Sequence, residues 1–541
     1  MHLKSQISNR RLRTTLNSNA ASFNTPLATQ FRGFEPRNSD LFRISSVGFR
    51  ISKAHKALAF RWRSAITAAA VLTGCAVGPN YQQPKVSVPA TYSTSLTALT
   101  NQTSQDLTRW WRVFHDPQLD ALIEQATRAN FDLRLAQARV REARAQSGIA
   151  LSALLPSVNA NGEYSRERLS GHAPEGQLAQ GTGHSLVQNF FRTGFDANWE
   201  IDVFGGNRRS LQAANADLGA TEESRRGVLI TVIGDIGLNY LDLRGLQKQL
   251  AVATDNLRLQ EQTLALTRDR VQAGLANELD TARAEAQAAG TRSLIPLVEQ
   301  DIQRSIHRLS ILIGKQPAEL ESQLVTPAPI PPATPGFPVG LPSDLLRRRP
   351  DIRQAEREVA AATARVGVAT ADLFPRFYLT GAAGLQSLNA SDFFSSGSRF
   401  WSLGPSMQWP IFTAGRIRQN IKVQDARQEQ SLIRYEQTVL TSLEEVENAL
   451  VACGKEQEHR EALVQSEAAN LRAVALADER YRSGLVDFLN VLETQRTLLA
   501  VQDDLAQSER TTDQNLVRLY KALGGGWESE TQVAELRTTT Q

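Results

Sequence analysis

Cysteine is nearly absent: Cys75 and Cys453 are the only two in 541 residues, so no disulfide framework holds this chain and the fold rests on packing. The seven histidines, His2, His55, His115, His172, His184, His307 and His459, are scattered without metal-ligand spacing. Neither His-Glu-x-x-His, Gly-x-Ser-x-Gly nor a phosphate-cradling Gly-Lys-Ser/Thr loop occurs, which removes the usual signatures of metalloprotease, serine-hydrolase and nucleotide chemistry. An enzyme is not expected, and no cofactor or bound metal is implied. Acidic residues are scarce at one end only. Residues 1–63 hold 12 Lys/Arg against Glu35 and Asp40, so the overall net charge of +4 leaves −6 for the remaining 478 residues. A body of that sign repels a phosphate backbone, which argues against nucleic acid as a partner.

Arg61-Trp62-Arg63, the apolar run Ala65–Leu72 and Leu72-Thr73-Gly74-Cys75 supply the three parts of a secretory signal. The apolar run is too short to span a bilayer. Leu-Thr-Gly-Cys resembles the bacterial lipobox, which implies cleavage before Cys75 and acylation of its sulfur; that resemblance also implies that Ala76, standing where an Asp would divert the protein, favours the outer membrane. Cys453 is expected to be inert. The Arg- and Ser-rich stretch 1–46 is read as upstream sequence rather than a transit peptide, and 1–74 as extension plus signal.

The chain is internally duplicated. At an offset of 210, Trp199 meets Trp409, Ile201 meets Ile411, Gly205 meets Gly415, Gly274-Leu275 meets Gly484-Leu485 and Gly314 meets Gly524. Upstream, an offset of 219 pairs Asp132 with Asp351, Val140 with Val359, Pro156 with Pro375 and Gly162 with Gly381. The repeats are placed at 75–320 and 350–526, separated by a connector at 321–349 and followed by a flexible tail at 527–541. Nine prolines lie between 317 and 350, which predicts an extended connector. By contrast, none occurs from 175 to 295 or after 410. There the apolar spacing is helical (Leu229, Val232, Ile236, Tyr240, Leu243; then Val439, Leu443, Val446, Leu450) and reads as a coiled-coil-like seam. A single helix over 207–273 would reach on the order of 100 Å.

Four segments have period two instead. In residues 191–203, Phe191, Phe195, Trp199 and Ile201 alternate with Arg192, Asp196, Asn198 and Glu200; Trp401, Leu403, Met407, Trp409 and Ile411 alternate with polar residues in the repeat partner. Val158 to Ser165 and Phe377 to Gln386 do the same. Four strands of about ten residues, in two hairpins with polar loops near 167–189 and 387–398, have the length of membrane-spanning strands. Four strands cannot close a barrel, and an open edge cannot sit in lipid, so membrane insertion predicts a barrel shared between copies.

Trp110-Trp111-Arg112-Val113-Phe114-His115-Asp116-Pro117, Leu-Leu-Pro at 154–156, Leu-Phe-Pro at 373–375, and Tyr481-Arg482-Ser483-Gly484 leading to Val491-Leu492 together resemble the outer-membrane factor family of TolC/NodT-type efflux lipoproteins, over roughly 75–526. The resemblance implies a mainly α fold with a transmembrane β part: a homotrimer in which twelve strands form a β-barrel in the outer membrane and twelve helices continue it as an α-barrel into the periplasm, belted by the connector and terminal helices. It implies an exit duct for small molecules such as drugs and toxic compounds, lipid-anchored in the outer membrane and fed by an inner-membrane pump through a periplasmic adaptor. It places a periplasmic gate at Glu493 and at Asn490, the latter a departure where some relatives carry Asp, with Asp280 and Arg283 at the matching places of the first repeat; acidic rings there would favour cations. The tip pairs Gly274, Leu275, Gly484 and Leu485, where glycine permits each helical hairpin to turn, become candidate adaptor contacts. Type I protein secretion uses similar ducts, and a structural periplasmic coiled-coil lipoprotein would account for the helices but not for the strands.

Overall fold

The computed structural model describes residues 76–93, 107–331 and 342–528; Cys75, the signal and extension before it, and the tail beyond Glu528 lie outside the described residues. After a 3-10 segment at Leu107–Phe114, helices α1 (Pro117–Ala129) and α2 (Phe131–Ser152) lead into strands β1 (Ser157–Arg168) and β2 (Val187–Ile201), then into the long helices α3 (Gly206–Gln272) and α4 (Glu278–Leu312). The second repeat runs α5 (Pro350–Ala371), β3 (Arg376–Ser387), β4 (Arg399–Gln408), α6 (Arg416–Arg482) and α7 (Phe488–Ala522). The duplication holds to the residue. α3 and α6 have 67 residues each and α4 and α7 have 35, at the offset of 210; α2 and α5 have 22 and β1 and β3 have 12, at 219. The nine residues lost in the second repeat come from the loop between its strands, where a change of length leaves the repeated helices and strands in step. In the first repeat that loop also folds a short helix, Pro174–Gly181, started by proline in its first turn.

Local chemistry fixes where the long helices begin. Gly205 and Gly415 adopt left-handed conformations with φ of 81° and 83°, which a side chain would oppose, and they let the chain turn out of the sheet. Two tryptophans then hold the sheet to the helices beside it: Trp199 Nε1 donates to the Leu154 carbonyl at 2.9 Å and Trp409 Nε1 to the equivalent Leu373 carbonyl at 3.1 Å. Asn130 and Arg349 also stand in equivalent places. Asn130 Nδ2 donates to the Leu312 carbonyl at 2.8 Å and Arg349 Nη1 to the Ala522 carbonyl at 3.0 Å, so different side chains tie the starts of α2 and α5 to the ends of α4 and α7.

The main core lies midway along the long helices. Trp110 stacks on Tyr520 with centroids 5.3 Å apart, and Phe114, Leu119 and Ile123 pack with Ile236, Leu241, Ile306, Leu309 and Val517, all buried; each such side chain contributes roughly 1.5–3 kcal/mol. Part of the connector belongs to this core. Residues Pro317–Leu320 and Glu321–Leu324 form short helical turns, as does Pro342–Arg348, and Leu320, Leu324 and Leu345 are buried. Its described parts are thus more helical than nine prolines predict, because Pro317 and Pro350 occupy first turns, where the missing N–H costs nothing. Arg244, 2% exposed, locks this belt: its Nη1 donates to Gln247 Oε1 at 2.6 Å and the Thr326 carbonyl at 3.3 Å, and its Nη2 reaches Gln118 Oε1 on α1. Trp527, placed at the start of the tail by the sequence, is part of the folded body. Its ring lies beside the guanidinium groups of Arg226 and Arg353, at 4.6 and 5.3 Å, and its Nε1 donates to the Arg348 carbonyl at 3.1 Å.

Candidate functional site

The four strands form one antiparallel sheet in the order β1-β2-β3-β4. Its register decides what each face presents. Ala160 pairs with Phe195, Phe195 with Ala383 and Ala383 with Trp401; Trp199 pairs with Leu379 and Leu379 with Pro405. Because paired residues share a face, Val158, Tyr164, Phe191, Phe195, Trp199, Phe377, Leu379, Leu403, Trp401 and Met407 all lie on one side. The other side carries Asn159, Asn161, Glu163, Asp196, Asn198, Glu200, Thr380, Ser402 and Ser406, as well as Arg192 and Arg376. Many of the apolar side chains are bare: Phe195 is 63% exposed, Leu403 70% and Trp401 81%. On the polar side Asn159 Nδ2 donates to Asp196 Oδ2 at 3.3 Å, Asn161 also donates to Asp196, and Arg376 lies 3.8 Å from Glu200. Aromatics gather toward both strand ends, Tyr164, Phe191 and Trp401 distally and Trp199, Phe377 and Trp409 beside the helices. This is the pattern of a membrane β-sheet with a wet interior.

The sheet's foot, where the helices leave, also receives the N-terminal strand of chain. Arg209, 4% exposed, donates from Nε to the Val77 carbonyl at 3.1 Å and from Nη2 to the Gly78 carbonyl at 3.2 Å and Asn80 Oδ1 at 2.7 Å. The Val77 N–H donates to the Phe204 carbonyl at 3.0 Å. Ala76, next to Cys75, is so close to Gly205 that a Cβ there would meet its Cα at 2.7 Å. Cys75 itself lies outside the described residues.

At the opposite extreme of the long helices, both hairpins turn through the same motif. Gly274 and Gly484 each have φ of 72°; the Leu275 N–H reaches back to the Arg270 carbonyl at 2.8 Å and the Leu485 N–H to the Arg480 carbonyl at 2.9 Å, closing the last helical turn. Leu275 and Leu485 are 68% and 74% exposed. Just behind the tips, Tyr481, Phe488, Val491 and Leu492 make a small separate core with Ala284. Arg270 crosses from the first hairpin to the second: its guanidinium lies 4.7 Å from the Tyr481 ring centroid and Nη1 donates to the carbonyls of Tyr481 at 2.8 Å and Arg482 at 3.2 Å. Sequence reasoning missed this lock, because the only signal for it, Arg270 matching Arg480, speaks of repetition and not of contact.

The gate candidates stand near the starts of α4 and α7, Asp280 and Asn490 in the first turns and Glu493 in the second. Asn490 and Glu493, one turn apart and both exposed, share the face of α7 opposite buried Val491, Leu492 and Gln495. Among the described residues the Glu493 carboxylate has no hydrogen-bond or ion-pair partner. Asp280 differs, being half-buried and 3.7 Å from Arg283 on its own helix. The structure therefore brings Asn490 and Glu493 together and ties up Asp280.

Comparison with known proteins agrees with this geometry. The family described as outer membrane efflux protein matches residues 122–315 and 341–525. The chain is similar to the pyoverdine export outer membrane protein OpmQ of Pseudomonas aeruginosa, 35% identical over 87% of this chain and 98% of that one, and to the probable outer membrane lipoprotein SilC of Salmonella typhimurium, 31% identical over 84% and 97%. Among solved structures it resembles the outer-membrane channel OprN, with a TM-score of 0.78 and 37% identity over 84% of this chain and 100% of that chain. A chain with this duplicated fold, this two-faced sheet and these relatives belongs to the outer membrane efflux protein family and is an efflux channel of the outer membrane.

Proposed function

We propose that three copies of the chain share one twelve-stranded β-barrel, continue as a twelve-helix α-barrel into the periplasm, and serve as the exit duct of a tripartite efflux system. The observation that carries this reading is the sheet itself: one face is apolar and exposed, the other polar, and β1 and β4 are left as open edges. Lipid does not tolerate unpaired edges, and pairing β4 of one copy with β1 of the next satisfies both. The relative named for pyoverdine export supports a small-molecule cargo, delivered by an inner-membrane pump through a periplasmic adaptor. The chain acts as a channel, not a catalyst.

Cys75 carries the lipid anchor. Its neighbour Ala76, held by the Arg209 clamp at the sheet's foot where strands give way to helices, supports this, and the lipoprotein relative supports it as well. Exposed Leu275 and Leu485, on turns set by Gly274 and Gly484, offer the adaptor its apolar contacts. The unpaired Glu493 carboxylate, with Asn490 on the same face and Asp280 at the matching turn of the first repeat, forms the periplasmic gate, where convergence of three chains concentrates negative charge. The domains are 75–320 and 350–526 around the connector.

Native mass spectrometry and single-channel recording of detergent-extracted protein test the reading. A trimer with small, cation-preferring currents that lose their cation preference in Glu493→Ala is the expected result. A monomer without current overturns the duct, and unchanged selectivity in a conducting Glu493→Ala trimer overturns the gate.

A further inference from the structure

The apolar face of the sheet is not free of charge. Across all four strands it carries three charged residues, Arg166 and Arg168 on β1 and Arg399 on β4, while Glu163, Glu167, Asp196 and Glu200 all lie on the polar face. The assignment follows from register: Arg166 pairs with Asn189, two places from Phe191, and Arg399 pairs with Leu385. All three arginines are exposed, and none of their guanidinium groups has a hydrogen-bond, ion-pair or ring partner among the described residues. They also share one end. β1 ends and β4 begins away from the helices, so the arginines sit at the distal, outward rim, just beyond Tyr164 and Trp401. From Ser157 to Arg166 is on the order of 30 Å along the strand, or about 23 Å of height at the usual barrel tilt, close to the thickness of the apolar band.

Unpaired arginines on a lipid-facing surface are costly at mid-membrane and nearly free at the interface. Their level explains why they are tolerated and not why they are all cationic, all guanidinium and without an acid on their face. β1 and β4 are the two edges of the sheet; in the closed ring proposed above, on which this step rests, β4 of one copy lies beside β1 of the next, and Arg399 joins Arg166 and Arg168 at each seam. Three guanidinium groups above an aromatic girdle match a phosphate above acyl chains: the fork binds phosphate oxygens and the aromatics receive the hydrocarbon. We propose that Arg166, Arg168 and Arg399 form an external, intersubunit site for a phosphorylated glycolipid of the outer leaflet, one at each of three seams.

The test is native mass spectrometry of the detergent-extracted trimer titrated with bisphosphorylated lipid A, with its dephosphorylated form, and with lipid A in the presence of millimolar inorganic phosphate. Up to three lipid A molecules should bind the wild-type trimer, and affinity should fall about tenfold or more in the Arg166→Gln/Arg168→Gln/Arg399→Gln variant. The dephosphorylated lipid should bind the wild type as weakly as lipid A binds the variant, and inorganic phosphate should displace nothing. Arg399→Gln alone, on the opposite sheet edge from the other two, should also weaken binding, and it serves as the test if the triple variant does not assemble. A trimer that binds lipid A equally with and without the arginines overturns the seam site and leaves the duct intact. Displacement by inorganic phosphate overturns the lipid as occupant. A wild-type protein that stays monomeric overturns the duct, and the seam with it.

Discussion

Arg209, Arg244, Arg270 and Arg349 share one use. Each aims a guanidinium at backbone carbonyls of a segment distant in sequence: Val77 and Gly78, Thr326, Tyr481 and Arg482, and Ala522 respectively. Five fixed donors and a permanent charge suit arginine to ends of helices and turns whose carbonyls have no helical partner. Cys453 shows the opposite treatment: burial pushes its thiol up to about 11, so it stays protonated and unreactive, as the sequence suggested. Asp513 on α7 is a buried acid whose carboxylate has no hydrogen-bond or ion-pair partner among the described residues. Burial raises its carboxyl from 3.8 to about 7, with Glu509 adding to the rise and Arg460 opposing it. Because the folded value lies above the unfolded one, the protonated group favours the folded state below pH 4, and that contribution is lost as pH rises through 7. Asp513→Asn should therefore remove this slope and make the protein more stable than wild type at pH 8, by up to about 4 kcal/mol per copy. Denaturant midpoints of both proteins from pH 4 to 8 check this; parallel curves would show that Asp513 is ionised throughout.

At the scale of elements, period was legible and contact was not. The 67-residue helices, the glycine turns and the strand alternation follow from side-chain spacings of 3.6 and 2 that need no partner to be read. Strand ends were less legible. β2 begins at Val187, inside the expected loop, because its pairing with Arg168 continues through polar Gln188 and Asn189, whereas β4 stops at Gln408, before Pro410 removes a donor. The connector's helical turns, the docking of Trp527 and the Arg270 crossing depend on meetings between residues far apart in the chain, which no local pattern announces. Of the candidate gate, the shared face of Asn490 and Glu493 was readable as a spacing of three; that Glu493 has no side-chain partner among the described residues was not. The Arg270 crossing ties the tip of the first hairpin to that of the second. Removing it takes a charged donor from the Tyr481 and Arg482 carbonyls and the guanidinium from the Tyr481 ring, at about 1–3 kcal/mol. Arg270→Ala should loosen the tips and raise single-channel conductance, while Arg268→Ala, which loses only an exposed pair to Glu285 within one hairpin at 2.6 Å, should leave it unchanged. Equal effects would remove the crossing as a restraint.

At the scale of the whole molecule, the sheet and the helices solve different solvent problems with one repeat. The helices bury one stripe and wet the other, so their exposed residues are mostly polar. The sheet has a bare apolar face that only lipid can cover and a polar face that only a water-filled interior can serve. Neighbouring residues in mid-strand should then differ sharply in what they tolerate. Leu403 and Ser402 are adjacent on β4, both exposed, and on opposite faces by their pairing with Gly381 and Ala382. An arginine on the lipid face near mid-membrane costs about 2–4 kcal/mol, and a trimer incurs it three times over. Leu403→Arg should consequently fail to yield heat-resistant, membrane-inserted trimer, whereas Ser402→Arg should insert normally and shift the channel's ion preference away from cations, because its three charges line the bore. Insertion is read by trimer recovery from membranes and selectivity by reversal potential. The reverse outcome, with Leu403→Arg tolerated and Ser402→Arg excluded, would turn the sheet inside out, placing the aromatics in the bore and the carboxylates against lipid.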